Sequence, residues 1–244
     1  MGNVIIIGGS GEILKHEKGK KIDAFDYVVR MGDSKVRGYE KYVGTKTDMF
    51  RVGWKNHFYL KVNNDYSETF CFVDTELAGF TDLLITRIFD PDDYKETSSV
   101  MQFSVNKQFS TLVPVWKREA RSPFAQTHMH PRISHDFCLE MFKQYHQTIK
   151  NVQYYSQQRK AYISGILKRH DPKIHKYPLP TNGILTIDHI ITTRPQDNIY
   201  ITGFDGLKTR YYWRDHDTFS HQHNSVGEQL LLKRLIKTGR IIPL

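Results

Sequence analysis

The chain has 244 residues, of which 39% are hydrophobic, 13% aromatic and 25% charged. These proportions exclude a disordered, fibrous or collagen-like chain and leave room for a substantial core. Two cysteines, Cys71 and Cys138, make no disulfide framework and suit a reducing compartment, and 35 Lys and Arg against 26 Asp and Glu give a net charge of +9 that favours anionic partners. No apolar run is long enough to span a bilayer, and Met1-Gly2 leads into Asn3-Val4-Ile5 without a basic leader. The chain therefore reads as a complete, cytoplasmic, single domain over 1–244.

Val4-Ile5-Ile6-Ile7 is a continuous β-branched run ended by Gly8-Gly9-Ser10-Gly11. That pattern predicts a buried parallel strand entering a glycine turn and a helix. Short strands are expected at Tyr27–Arg30, Asp48–Arg51, Phe70–Val73 and Leu112–Val115, the last near an edge because of Pro114. Phe137, Met141, Tyr145 and Ile149 recur every four residues and predict a helix of about four turns. A second helix is expected from Gln157 to Arg169, ended by Asp171-Pro172. A third carries Ile184, Ile187, Asp188 and Ile191 and stops before Arg194-Pro195. Ile199–Gly203 reads as another buried strand. The last helix is expected over Ser225–Thr238, with Val226, Leu230 and Leu235 inward. Strands alternating with helices predict an α/β fold with a mainly parallel sheet.

A strand, a Gly8–Gly11 turn and a helix start make a geometry suited to phosphate, because backbone amides approach the anion closely. The turn lacks G-x-G-x-x-G and G-x-x-x-x-G-K-[ST] spacing, so neither a dinucleotide site nor a P-loop is expected. Ile22-Asp23-Ala24-Phe25-Asp26-Tyr27-Val28-Val29-Arg30 follows, then Gly38-Tyr39 and Val43-Gly44-Thr45-Lys46-Thr47. Together these segments resemble the large sialylmotif of the animal-type sialyltransferases, glycosyltransferase family 29. Pro180-Thr181-Asn182-Gly183-Ile184-Leu185 with Ile199–Phe204 is similar to that family's small motif. Tyr211-Tyr212-Trp213 resembles its third motif. His223-Asn224-Ser225-Val226-Gly227-Glu228 resembles its H-x-x-x-x-E motif.

The resemblance implies a Rossmann-like, GT-A-related fold and an inverting, metal-independent transfer of a sugar from a CMP-sugar donor to a glycan or glycolipid hydroxyl. No cofactor and no metal are expected. His223 is the expected general base, since an imidazole titrates near neutral pH. Glu228 is expected to order that loop or hold the histidine's second nitrogen. Ser10, the Gly9–Gly11 amides and the Tyr211 phenol are expected to face the leaving phosphate, and Gly8 and Arg30 belong to the same expected nucleotide-sugar set. Thr181, Asn182 and Gly183, at a helix start, are expected to hold the donor's carboxylate. Gly203, Phe204 and Asp205, at a strand's carboxyl end, are expected beside the nucleotide.

Three departures from the family bear on the donor and the setting. Gly9 and Gly32 stand where the family usually has asparagine, which brings in CMP-Kdo as a second donor and a binding-only relative as a second function. The family's cysteine pair is missing, since Cys71 and Cys138 lie outside the motifs. Its membrane anchor is missing as well, and the positive charge suggests peripheral contact with an anionic membrane face instead. Histidines gather at His128, His130 and His135 and at His216, His221 and His223, without the spacing of a metal site. No nucleic-acid module is recognised, so nucleic acid is not an expected partner.

Overall fold

A computed structural model describes residues 1–31, 34–52, 79–86, 101–105, 112–116, 147–170, 180–206, 208–213 and 225–244. The strands are β1 (Asn3–Ile7), β2 (Tyr27–Met31), β3 (Met49–Val52), β4 (Asp82–Ile85), β5 (Met101–Val105), β6 (Leu112–Trp116), β7 (Asn151–Tyr154), β8 (Asn198–Thr202) and β9 (Ile242–Pro243). The helices are α1 (Gly19–Asp23), α2 (Glu40–Val43), α3 (Gln157–His170), α4 (Asn182–Thr193) and α5 (Ser225–Lys237), with a 3-10 turn at Gly11–Lys15.

Seven strands form one sheet in the order β7-β4-β3-β2-β1-β8-β9, and every pairing in it is parallel. β5 and β6 pair separately as an antiparallel hairpin. From β1 the chain adds strands on one side through β2, β3, β4 and β7. It then returns to place β8 on the other side of β1. The strand order thus reverses between β1 and β8, where ligands bind in open α/β sheets.

Side chains on a strand alternate between faces, and β1 shows why its run had to be apolar throughout. Val4 and Ile6 join a core with Val29, Leu84 and Ile201, covered by Ile163 and Leu167 of α3, Ile184, Ile187 and Ile190 of α4, and Leu231 and Leu232 of α5. Ile5 and Ile7 face the other way, against Ile13, Ile22, Val28, Val43 and Tyr212.

Three expectations change. Val226 and Leu230 are 49% and 40% exposed. The inward face of α5 is Gly227, Glu228, Leu231 and Leu232, with Leu235 partly buried. The apolar stripe runs one position later because a buried carboxylate, invisible to hydrophobic periodicity, occupies it. Ile149 lies outside a helix: Lys150 N and Asn151 N both donate to Thr81 O, and the Thr148 hydroxyl donates to Phe80 O, so this stretch is already fastened beside β4. β4, β7 and β9, for which no strand was expected, extend the sheet. Phe70–Val73 and residues 137–146 lie outside the described residues.

Polar groups tie the helical layer to itself. Asp188 on α4 accepts hydrogen bonds from the Tyr155 phenol at 2.7 Å and from Arg159 Nε and Nη2 at 2.8 and 2.7 Å. Burial and the Asp188 carboxylate hold the Tyr155 phenol well above its ordinary pKa. The Arg159 side chain is 41% exposed, so solvent screens the pair. Arg159→Ala is expected to cost about 1 kcal/mol in urea unfolding, mostly from the lost charged hydrogen bonds. An unchanged midpoint would show that Tyr155 alone suffices.

Candidate active site

The two turns that leave β1 and β8 touch backbone to backbone. Gly8 N donates to Thr202 O at 2.8 Å, and Ser10 N donates to Gly203 O at 3.0 Å. A Cβ on Gly8 would lie 2.2 Å from Gly203 O. A Cβ on Gly203, whose φ is +72°, would lie 2.7 Å from Gly8 O. Neither position has room for a side chain.

The aromatic segment closes over the same turn. Gly11 N donates to Arg210 O at 2.7 Å and Tyr212 N to Gly9 O at 3.0 Å. Tyr211 and Trp213 stack with centroids 4.9 Å apart and planes 25° from parallel. A Cβ on Gly9 would lie 2.5 Å from the Tyr211 ring. Tyr212 is buried edge-on to Tyr39 and Trp213, with its phenol donating to Lys35 O. The expectation that Gly9, Ser10 and Gly11 all offer amides to a phosphate is therefore revised. Ser10 N and Gly11 N are used inside the protein, and only the Gly9 amide has no acceptor among the described residues. Ser10 Oγ shares a hydrogen bond with Thr209 Oγ1 at 2.8 Å and accepts one from Glu12 N at 3.1 Å.

α4 begins beside this clamp. Thr181 caps it, its Oγ1 accepting from Ile184 N at 3.3 Å. Thr181 N and Oγ1 donate to the two oxygens of Glu228 at 2.5 and 2.7 Å. Glu228 thus fastens the small motif to α5, and both of its described partners are on Thr181. It is 3% exposed, and burial pushes its carboxyl up to about 7 despite those two hydrogen bonds. Phe204 bridges the turns: a Cβ on Gly183 would lie 2.9 Å from its ring, and one on Gly8 3.0 Å. Asp205 accepts from Lys208 N at 3.1 Å and Thr209 N at 2.7 Å, holding the loop that brings Thr209 to Ser10. A cleft of about 550 Å³ opens at these strand ends, lined in part by Gly203, Phe204, Asp205, Glu12, Lys208 and Lys233.

The rest of the large motif is framework. Asp23 accepts from Thr45 N, Thr45 Oγ1 and Lys46 N at 2.8, 3.1 and 2.8 Å. Arg30, expected at the nucleotide, is wholly buried and donates to Lys46 O, Thr47 Oγ1 and Val43 O at 3.0, 2.8 and 2.8 Å. Its Nη1 has no hydrogen-bond partner among the described residues, and desolvation lowers the guanidinium to about 10. Arg30 ties β2 to the segment entering β3 and has no exposed surface for a ligand.

Sequence reasoning missed Arg51 and Thr86. Arg51, 3% exposed on β3, donates from Nε and Nη2 to Thr86 Oγ1 at 3.0 and 2.7 Å. Thr86 Oγ1 donates to Asn182 Oδ1 at 3.2 Å. A buried arginine in an otherwise apolar strand, Met49-Phe50-Arg51-Val52, was the available signal. Gly32 and His223 lie outside the described residues, as do Cys71, Cys138 and the other histidines of both clusters. Among the described residues no group of acidic, histidine or cysteine side chains could hold a metal, and no helix is long and apolar enough to cross a membrane.

The sequence profile of glycosyltransferase family 29 (sialyltransferase) matches residues 3–240. The chain belongs to this family. Among curated relatives, a type 2 lactosamine alpha-2,3-sialyltransferase of Rattus norvegicus is 26% identical over 98% of this chain and 63% of its own length. A lactosylceramide alpha-2,3-sialyltransferase of the same organism is 23% identical, over 96% of this chain and 54% of its own. The chain thus spans little more than half of these family members. A sialyltransferase-like protein 2 of Arabidopsis thaliana is 41% identical over 46 residues. A mammalian sialyltransferase crystal structure shares the fold, with a TM-score of 0.51 and 15% identity, over 100% of this chain and 68% of that one. The family-29 fold is therefore a Rossmann-like, GT-A-related parallel sheet here too.

Proposed function

We propose that this chain transfers a sialic-acid-like sugar from a CMP-sugar to a glycan hydroxyl, with inversion. The observation that carries the reading is convergence: the glycine turn, the small motif, the aromatic motif and Glu228 of a family-29 chain meet where the strand order reverses. The acceptor oxygen attacks the anomeric carbon, the bond to the CMP phosphate breaks, and the acceptor proton passes to His223. CMP departs with the bonding electrons. The Gly9 amide and the Tyr211 phenol stabilise its growing charge. The start of α4 holds the donor's carboxylate. The proposed reaction uses no metal and no cofactor, and residues 1–244 act as one catalytic domain.

The relatives' names point to a galactose-terminated glycan or glycolipid as acceptor. One observation favours a donor other than CMP-Neu5Ac, such as CMP-Kdo, or a binding-only role. The Tyr211–Trp213 stack fills the space in which an asparagine at Gly9 would stand. We also propose peripheral contact with an anionic membrane face on the cytoplasmic side; the +9 charge and the exposed Lys233, Arg234, Lys237 and Arg240 support the contact.

The test is CMP release from CMP-Neu5Ac and CMP-Kdo, with EDTA and with galactose-terminated acceptors. Acceptor-stimulated release that survives EDTA is expected. CMP binding with no release from either donor would select the binding-only reading.

A further inference from the structure

We propose that Arg51 and Thr86 are positioning residues for the donor, acting by fixing which end of the Asn182 carboxamide is offered to it. The inference rests on the reading that the start of α4 holds the donor's carboxylate. It extends that site to Arg51, at the very end of the large-motif segment, and to Thr86, outside the motifs.

Proton counting sets the direction of each bond in the chain from Arg51 to Asn182. A guanidinium only donates hydrogen bonds. Two of Arg51's N–H groups end on Thr86 Oγ1, so that oxygen must accept. A threonine hydroxyl has a single proton, and here it goes to Asn182 at 3.2 Å. The atom of Asn182 that receives it is Oδ1. The two ends of an asparagine amide are otherwise easily exchanged. In this chain a residue that cannot accept settles their order from two steps away.

The consequence is a group of donors with no competing acceptor. Asn182 Nδ2 has no hydrogen-bond partner among the described residues. Nor do the first-turn amides Asn182 N and Gly183 N, while Ile184 N and Leu185 N are taken by Thr181. These groups open a helix of 12 residues, whose N-terminus carries partial positive charge. Arg51 is 3% exposed and Thr86 fully buried, so neither touches the donor. With the Thr86 link removed, the carboxamide can turn and present Oδ1 to the same anion.

The experiment is calorimetric titration of the full chain with CMP, CMP-Neu5Ac and CMP-Kdo, using wild type, Thr86→Val, Thr86→Ser and Asn182→Asp. Thr86→Val is expected to weaken the CMP-sugar that wild type prefers by about tenfold, the scale of one hydrogen bond to a charged group. CMP itself should stay within about twofold, because the effect is on the sugar's carboxylate. Thr86→Ser should restore the affinity. In turnover the loss should appear in donor KM more than in kcat. Asn182→Asp, at a half-buried position that does not depend on packing a new core side chain, should lose at least as much. Equal affinity in Thr86→Val and wild type would overturn the inference alone. So would parallel losses for CMP and CMP-sugar, or a serine that fails to rescue. If wild type binds neither CMP-sugar, the functional reading falls and this inference falls with it.

Discussion

Gly8→Ala is expected to give a less stable protein that no longer binds CMP. The added Cβ would stand 2.2 Å from Gly203 O, which is backbone and cannot swing aside as a flexible side chain can. Relief requires the turns after β1 and β8 to separate. Separation breaks Gly8 N to Thr202 O and Ser10 N to Gly203 O and moves the Phe204 ring off Gly183. Overpacking of this kind costs about 1–3 kcal/mol. Gly165→Ala on α3 is the control: its Cβ would meet nothing within 4 Å, and helix propensity alone predicts a gain of up to about 1 kcal/mol. Urea unfolding and CMP-induced thermal shift, measured on both, check this. A Gly8→Ala protein with wild-type stability and CMP response would refute the contact between the turns.

His223→Ala should lower acceptor-dependent CMP release by about 10²–10⁴-fold while leaving CMP binding intact, as expected when a positioned base is removed. Glu228→Gln should behave differently, because its partner is Thr181. The carboxyl titrates near 7 in the folded chain, against 4.5 for an ordinary glutamate. Below pH 4.5 both states are protonated and the burial penalty is absent. It grows as pH rises and is complete above about 7, reaching about 3 kcal/mol at most. Glutamine has no charge to bury but loses one of the two Thr181 hydrogen bonds as an acceptor. The stability of Glu228→Gln relative to wild type should therefore rise between pH 5 and pH 8. Denaturant midpoints at the two pH values measure it, and a difference that does not change with pH would mean the buried carboxyl titrates normally.

The strands β1, β2, β3 and β8 were legible because burial on both faces demands runs that are almost wholly apolar, two helices were legible from the prolines that bound them, and the last from its apolar positions. β7 was not, because Asn151–Tyr154 is a half-exposed edge strand with no run to read. The α5 face was misread because Glu228 is buried, and a hydrophobic period treats every carboxylate as outward. At the candidate site, the motif spacings singled out turns that the fold brings together. They did not reveal what each residue does there. Arg30 and Asp23 fasten one segment of backbone to another, and Ser10 N and Gly11 N are used inside the protein. Such roles depend on residues far away in sequence. Arg51 and Thr86 were missed for the same reason: their partner, Asn182, is 96 residues beyond Thr86.

The pairing of β1 with β8 also sets a timetable for biosynthesis. Asn3 pairs with Asn198 and Ile7 with Thr202, so the centre of the sheet joins segments from opposite ends of the chain. A ribosome adding about 5–20 residues per second needs roughly 10–40 s to bring β8 out after β1. Through that interval β1 has β2 on one edge and an open, wholly apolar edge on the other. Nascent chains arrested before residue 198 should accordingly be captured by holdase chaperones, and those arrested well past 202 should escape. In this topology the candidate active site forms only when β8 joins β1, so a chain truncated before residue 198 carries the glycine turn but never its counterpart.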